Sequence, residues 1–543
     1  MFRKKPVYLQ PERKGNRHGS PWRTTRFLLK GQSDANGCWC ALPFPLIIGP
    51  LTKTSSRKAL MRFECFSLPI NLQKQHIIKM KKSIFLLTLA FIGGVLGMQA
   101  QTGGISREML QQMRLQNHMT ASDRAIRNAV ANVDVNKLAV SADAAANFDT
   151  AFSNRVTTIG ITDQKRSGRC WLFSGLNVLR AQAMHKHNLP ETYFSQIYLF
   201  FYDQLEKSNL FLQSIIDTRA LPLDDRHVEW LLKNPLSDGG TYTGVADLVM
   251  KYGLVPQNVM PENHVSNNTT QMATLLKLKL REFGMELRAM SSKTSDAAFE
   301  QRKQAMLSEI YHILTIAYGE PVTSFTWTRK NAKGEMQETK TYTPQEFYQY
   351  LLGEDLNANY VMLMNDPSRD YYQVYEIEND RHLYDGHNWL YVNLPMDDIK
   401  EVAIKSIKAN MAMYFSCDVG KFLNSENGLL DVNNYDYGSL LGTTFGMDKK
   451  MRIHTFASGS SHAMTLTAVD LDKNGKPRKW LVENSWGPTY GYKGNLIMTD
   501  EWFDAYMFRV VVNKRFVSAK ILNVLQQKSV MLPPWDPMFA EDE

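Results

Sequence analysis

Residues 461–487 constrain this chain more than any other stretch. SHAMTLTAVDL (461–471) alternates and is rich in Thr and Val, so it reads as a strand opening at His462. WLVENSWG (480–487) reads as a second strand ending at Asn484. Between them, Asp472-Lys473-Asn474-Gly475 is a strong hairpin signal. The hairpin returns Asn484 towards His462. A side-chain oxygen beside a His ring N–H fixes the tautomer that a general base needs. Parity adds a condition. A two-residue Asn474-Gly475 turn would put the two side chains on opposite faces, because side chains alternate along a strand. An odd-length connection or a bulge is therefore expected, most simply with Gly475 left-handed as a one-residue bulge.

QKRSGRCWLFSGLNVLR (164–180) reads as a helix. Leu172, Leu176 and Leu179 recur at the spacing of one helical face. Ser167 and Gly168 supply a turn and a cap, which puts Cys170 in the first turn. The partial positive charge of a helix N-terminus favours a thiolate, the reactive form of Cys. Gln164 carries an amide able to donate to a developing oxyanion. A lone Cys is more often a buried structural residue, and a Cys170–Cys417 disulfide is the competing reading. Cys170, then His462, then Asn484 is nevertheless an ordered Cys-His-Asn set suited to acyl transfer at an amide carbonyl.

The front of the chain differs from the rest. Residues 1–79 hold fifteen Lys/Arg against three Asp/Glu, leaving 101–543 at −5 although the whole chain is +9. Residues 80–100 have the layout of a signal peptide: Met80, two lysines, an apolar core from Ile84 to Leu96 and small residues after it. That core is shorter than the roughly 20 residues of a membrane span. We therefore expect an exported protein, periplasmic or secreted, with no stable membrane anchor after cleavage. Residues 1–79 are then a non-native upstream extension. Of five cysteines, only Cys170 and Cys417 lie beyond residue 100.

The remainder divides into helices first and strands later. Helical pattern covers 105–150, 168–190, about 194–206 and 265–320. Short strands are expected from about 385, at 388–394, 411–417, 462–471, 479–484 and 508–514. This is an α+β chain with two lobes. The expected divisions are an N-terminal helical segment (101–150), a helical lobe (151–384), a strand lobe (385–528) and a C-terminal arm (529–543). No HExxH, paired CxxC or P-loop is present; residues 238–244 are glycine-rich and read as a loop. No metal or cofactor is expected.

Gln164, Cys170-Trp171, His462 and Asn484-Ser485-Trp486-Gly487 resemble the papain superfamily. The 292 residues from Cys170 to His462 far exceed its usual spacing. Bleomycin hydrolases and bacterial aminopeptidases C have such an insertion. The likeness extends to FSQIYLFFYDQLEK (194–207), NPLSDGG (234–240), KYGLVP (251–256), CDVGK (417–421), MTDEWF (498–503) and LPPWDPM (532–538). The resemblance implies a papain-like two-lobe fold, with a helical lobe, an antiparallel β-barrel lobe and a large helical insertion. It implies a cysteine aminopeptidase acting through a thioester acyl-enzyme. Cys170 would be nucleophile, His462 base and acid, Asn484 orienter and Gln164 oxyanion donor, with Trp171 and Trp486 supporting the site and Cys417 structural. It also implies a homohexamer, and a C-terminal arm whose terminal residue, here Glu543, holds the free N-terminus of a peptide substrate. Two rival readings stand beside this one. The first is an endopeptidase of the same fold. The second is a non-catalytic assembly or nucleic-acid-binding protein, which the −5 balance disfavours.

Overall fold

The computed structural model describes residues 103–146 and 149–538. The expected upstream extension and signal peptide, and Glu543, lie outside them. Residues up to Gln116 form a unit of their own, described from Gly103 and containing the Arg107–Gln116 helix, which has no buried residue.

Fourteen strands are described. The first six are β1 (Asn154–Arg155), β2 (Phe325–Lys330), β3 (Met336–Tyr342), β4 (Tyr360–Met364), β5 (Gln373–Ile377) and β6 (Leu390–Asn393). Then come β7 (Met413–Cys417), β8 (Leu423–Asn424), β9 (Leu429–Leu430) and β10 (His462–Leu471). The last four are β11 (Pro477–Glu483), β12 (Asn495–Thr499), β13 (Met507–Asn513) and β14 (Val530–Leu532). β2 and β3 form a separate hairpin. The other twelve make one sheet, ordered β14-β5-β6-β4-β13-β7-β10-β11-β12-β9-β8, with β1 alongside β10. Three pairings are parallel, β14/β5, β4/β6 and β9/β12, a refinement of the antiparallel lobe expected above.

The sheet is buried on both faces because its strands sort their side chains alternately into two cores. On β4, Tyr360, Met362 and Met364 join the helical core, while Val361 and Leu363 join the opposite one. On β7, Tyr414 faces the helices and Phe415 the other side. The helical core gathers the Cys170–His187, Gln196–Asp217, Tyr242–Tyr252, Thr270–Ala289 and Asp296–Tyr318 helices.

Several expectations are corrected. The strand lobe does not begin at 385: β4 and β5 already belong to the sheet. The helix expected over about 194–206 runs to Asp217, because Phe211, Leu212, Ile215 and Ile216 prolong its buried face. Residues 238–244 are loop only as far as Thr241, since a helix begins at Tyr242. The Cys170–His187 helix stops before Pro190, at Asn188 in the left-handed conformation (φ 50°). It is also not one-faced. Every residue from Trp171 to Arg180 is buried, so this helix lies between the helical core and the sheet.

Candidate active site

The cap that starts the Cys170 helix is Arg169, not Ser167 or Gly168, and it makes no side-chain capping bond. Its fully buried guanidinium forks onto Glu262 at 3.0 and 2.7 Å and also donates to the Ser266 carbonyl. A bidentate pair of this kind fixes geometry as well as charge. Asp238 holds the same turn from the other side. It accepts from the Gly168 N–H at 2.8 Å, while its carbonyl accepts from Trp171 Nε1 at 2.9 Å. A Cβ at Gly168 would sit 2.5 Å from the Asp238 carboxylate, so only glycine allows this approach. Cys170 is thus the first helical residue.

The backbone N–H groups of Ala463 and Trp171 approach the Cys170 thiol and favour its ionised form. Ala463 follows His462, so the sheet and the helix meet at the sulfur. Burial pushes the Cys170 thiol up; the two N–H groups and the Arg509 charge oppose it. Cys417 is also a free thiol, so no Cys170–Cys417 disulfide exists, and burial raises it far above its ordinary value.

His462 opens β10, where it pairs with Cys417 of β7. Its Nε2 lies 2.8 Å from Asn484 Oδ1. The same oxygen accepts from the Ser485 N–H at 2.8 Å. A backbone N–H can only donate, so this atom must be the amide oxygen. Nε2 therefore carries the ring proton, and Nδ1 keeps the lone pair. Trp486 stacks on the imidazole with ring centroids 4.7 Å apart, covering the His–Asn bond. Burial lowers His462 to about 4, against the opposing pull of Asn484, so the ring is neutral at ordinary pH.

The hairpin is as parity requires. Asp472 N donates to Lys476 O, Gly475 N donates to Asp472 O, and Gly475 has φ +79°. The connection is three residues long, with glycine in the left-handed position. Two further bulges were not foreseen. Arg478 is extra on β11 and Thr467 is extra on β10, and their register shifts cancel. Thr465 finally faces Glu483, which returns His462 and Asn484 to one side.

Gln164 bridges the halves. Its N–H donates to Ser485 O at 2.8 Å, and its Oε1 accepts from Ser485 Oγ at 2.6 Å. The other end of the amide meets the Ser167 carbonyl, which can only accept, and that fixes Nε2 as donor. One Nε2 hydrogen goes to Ser167 O at 2.7 Å, and the second is left for another acceptor. Gly487 N donates to Thr162 O, extending the stitch to the other end of the segment.

Residues 104–539 match the Peptidase C1-like family. Human bleomycin hydrolase is 40% identical over 389 residues, covering 70% of this chain and 86% of that protein. Aminopeptidase C of Streptococcus thermophilus is 35% identical over 437 residues, covering 80% of this chain and 98% of that one. The chain belongs to the Peptidase C1-like family. The crystal structure of PepW from Lactobacillus rhamnosis HN001 superimposes with a TM-score of 0.78 at 36% identity, covering 81% of this chain and all of that one. The fold is therefore the papain-like α+β fold expected from the sequence.

Within this Peptidase C1-like chain, sequence reading passed over Arg169, Asp238, Ser485 and Arg180. Arg180 donates to Glu483 at 2.8 Å in a fully buried ion pair that joins the Cys170 helix to β11. Nothing in the pattern NPLSDGG announces that Asp238 holds the turn before a helix start 70 residues away. Among the described residues no cluster of His, Cys, Asp and Glu has the make-up of a metal site. No described helix is long and apolar enough to cross a membrane.

Proposed function

We propose that this chain is a cysteine aminopeptidase that releases N-terminal residues from peptides through a thioester acyl-enzyme. The observation that carries the reading is the oriented imidazole: Asn484 holds Nε2–H, so the basic Nδ1 is left for the thiol whose partner N–H is Ala463. Nδ1 takes the Cys170 proton, and the sulfur attacks the scissile carbonyl. The tetrahedral oxyanion is met by the second Nε2 hydrogen of Gln164 and by a first-turn backbone N–H of the helix. The imidazolium returns the proton to the leaving amine, and water then hydrolyses the thioester by the same base.

The aminopeptidase reading, in preference to an endopeptidase, draws on the relatives' activity and on the seating of the C-terminal segment. β14 runs parallel to β5. Trp535 packs edge-on against His227 at 4.8 Å and under the Arg226 guanidinium at 4.3 Å. Asp536 pairs with Arg369, and Met538 is buried. The arm is held as far as Met538, and Glu543 is the proposed anchor for the substrate ammonium. Peptides with free and with blocked N-termini test this. The full chain should cleave only the free ones, and a chain lacking 539–543 should lose that preference. A truncated chain that keeps it would remove Glu543 from the account.

We further infer export after removal of residues 80–100, on the pattern following Met80, and assembly as a homohexamer. The exposed apolar run Leu441, Phe445, Met447, Met451 and Phe456 supports self-association. N-terminal sequencing of exported protein and sedimentation velocity check the two.

A further inference from the structure

The chemistry just proposed needs a thiolate, and three groups are candidates to supply positive potential for it. The imidazole of His462 is neutral above about pH 4. The N-terminus of the 18-residue Cys170–His187 helix contributes about half a charge. The third source is a residue that sequence reading did not single out.

Arg509 lies on β13, in the row Arg509–Ser416–Ala463 that crosses β13, β7 and β10. This row ends at the residue whose N–H meets the Cys170 sulfur. The next row on the same face is Val511–Tyr414–Thr465, and Thr465 Oγ1 donates to Ser174 O of the Cys170 helix. Arg509 therefore stands on the face of the sheet that the helix covers. It is 7% exposed. Its guanidinium sits 3.8 Å above the centroid of Trp389, and its Nε has no acceptor among the described residues. A buried cation without a full set of partners is costly, and such a cost persists where the charge serves something nearby. The acids within its field, strongest first, are Tyr414, Asp380, Cys170 and Cys417. Of these, Cys170 is the proposed nucleophile.

We propose that Arg509 is a positioning residue for the reaction, the fixed cation that stabilises the Cys170 thiolate from two strands away on the same face of the sheet. The proposal rests on Cys170 being the nucleophile. The other charged and titratable groups around the sulfur do not replace it. Asp238 from the 237–241 loop opposes ionisation. Arg169 is engaged by Glu262, and no acidic residue lies in the first turn. Lys207 pairs with Asp203, which also holds His382, behind Trp171. β10 brings His462, and β7 brings Cys417 and Asp418, none of which is a fixed cation.

The test is the pH dependence of Cys170 alkylation by iodoacetamide in the full chain, read by peptide mapping. It is measured in wild type, Arg509→Met, Arg509→Gln and Arg509→Lys, with thermal unfolding alongside. This readout needs no peptidase turnover, so its failure is distinct from failure of Cys170 as nucleophile. The neutral variants should raise the alkylation midpoint by about one unit or more, slowing labelling about tenfold below the wild-type midpoint. Arg509→Lys should recover most of the shift. A folded Met or Gln variant with the wild-type midpoint overturns the proposal. So does a Lys variant whose midpoint moves as far as theirs, since packing alone would then account for the shift.

Discussion

The two halves of the site are built on different physics. The Cys170 half is a helix end fixed by charge: Arg169 on Glu262, and Asp238 on the Gly168 N–H. The His462 half is a pair of strand ends fixed by register and neutral hydrogen bonds: Asn484 on the ring, Trp486 stacked over it. A helix end leaves unsatisfied N–H groups that reward nearby negative charge, whereas a strand end places a side chain by parity. Cys170 therefore sits in an electrostatic setting and His462 in a geometric one. One buried ion pair, Arg180–Glu483, ties the two together.

The comparison breaks most severely at His462. His462→Ala leaves the charged half intact and should still lower kcat/KM by roughly 10⁴-fold, as removal of a member of such a set does. Steady-state kinetics on a free-N-terminus peptide reads it. Glu483→Gln breaks the tie instead. It leaves Arg180 charged and buried, with Nε and Nη1 already lacking acceptors, and should cost about 3–5 kcal/mol in denaturant unfolding.

The neutral half has a pH signature. His462 is held below its unfolded value by burial, so between about 4 and 6.5 the unfolded chain binds a proton that the folded chain does not. Stability is full above about pH 6.5 and is lost as pH falls towards 4, by about 3 kcal/mol at most from this group. His382, also lowered by burial, adds a slope of the same sign. Subtracting the pH–stability curve of His462→Gln from that of wild type isolates the His462 share, and equal slopes would exclude it. The smallest effect is at the hairpin. Gly475→Ala meets no atom within 4 Å but forces an L-residue to φ +79°, so it should destabilise by about 1 kcal/mol with little change in kcat.

The same contrast explains what the sequence made legible. Cys170, His462 and Asn484 could be found because each sits where a local pattern ends, a helix start or a strand end. Parity even required the left-handed Gly475, since alternation is a local rule. The Thr467 and Arg478 bulges escaped because their effects cancel and leave no trace at Asn484. Arg169, Asp238 and Arg509 escaped for another reason. Their partners lie across 93 residues for Glu262 and 70 for Gly168, or across two strands of sheet, and no spacing rule spans those distances. β4 and β5 were absorbed into the helical lobe because β4, buried on both faces, shows a continuous apolar run without alternation.

The central claim is that Cys170 is the nucleophile of this site. The most direct measurement is turnover of a free-N-terminus peptide by Cys170→Ala, with circular dichroism and thermal unfolding to establish the fold. Labelling of the wild type by a thiol-directed substrate analogue is mapped in parallel. The account predicts a folded variant with activity down by roughly 10⁴-fold or more, and a wild type whose activity falls in step with one adduct on Cys170 and none on buried Cys417. A folded Cys170→Ala protein that keeps most of its turnover would contradict it.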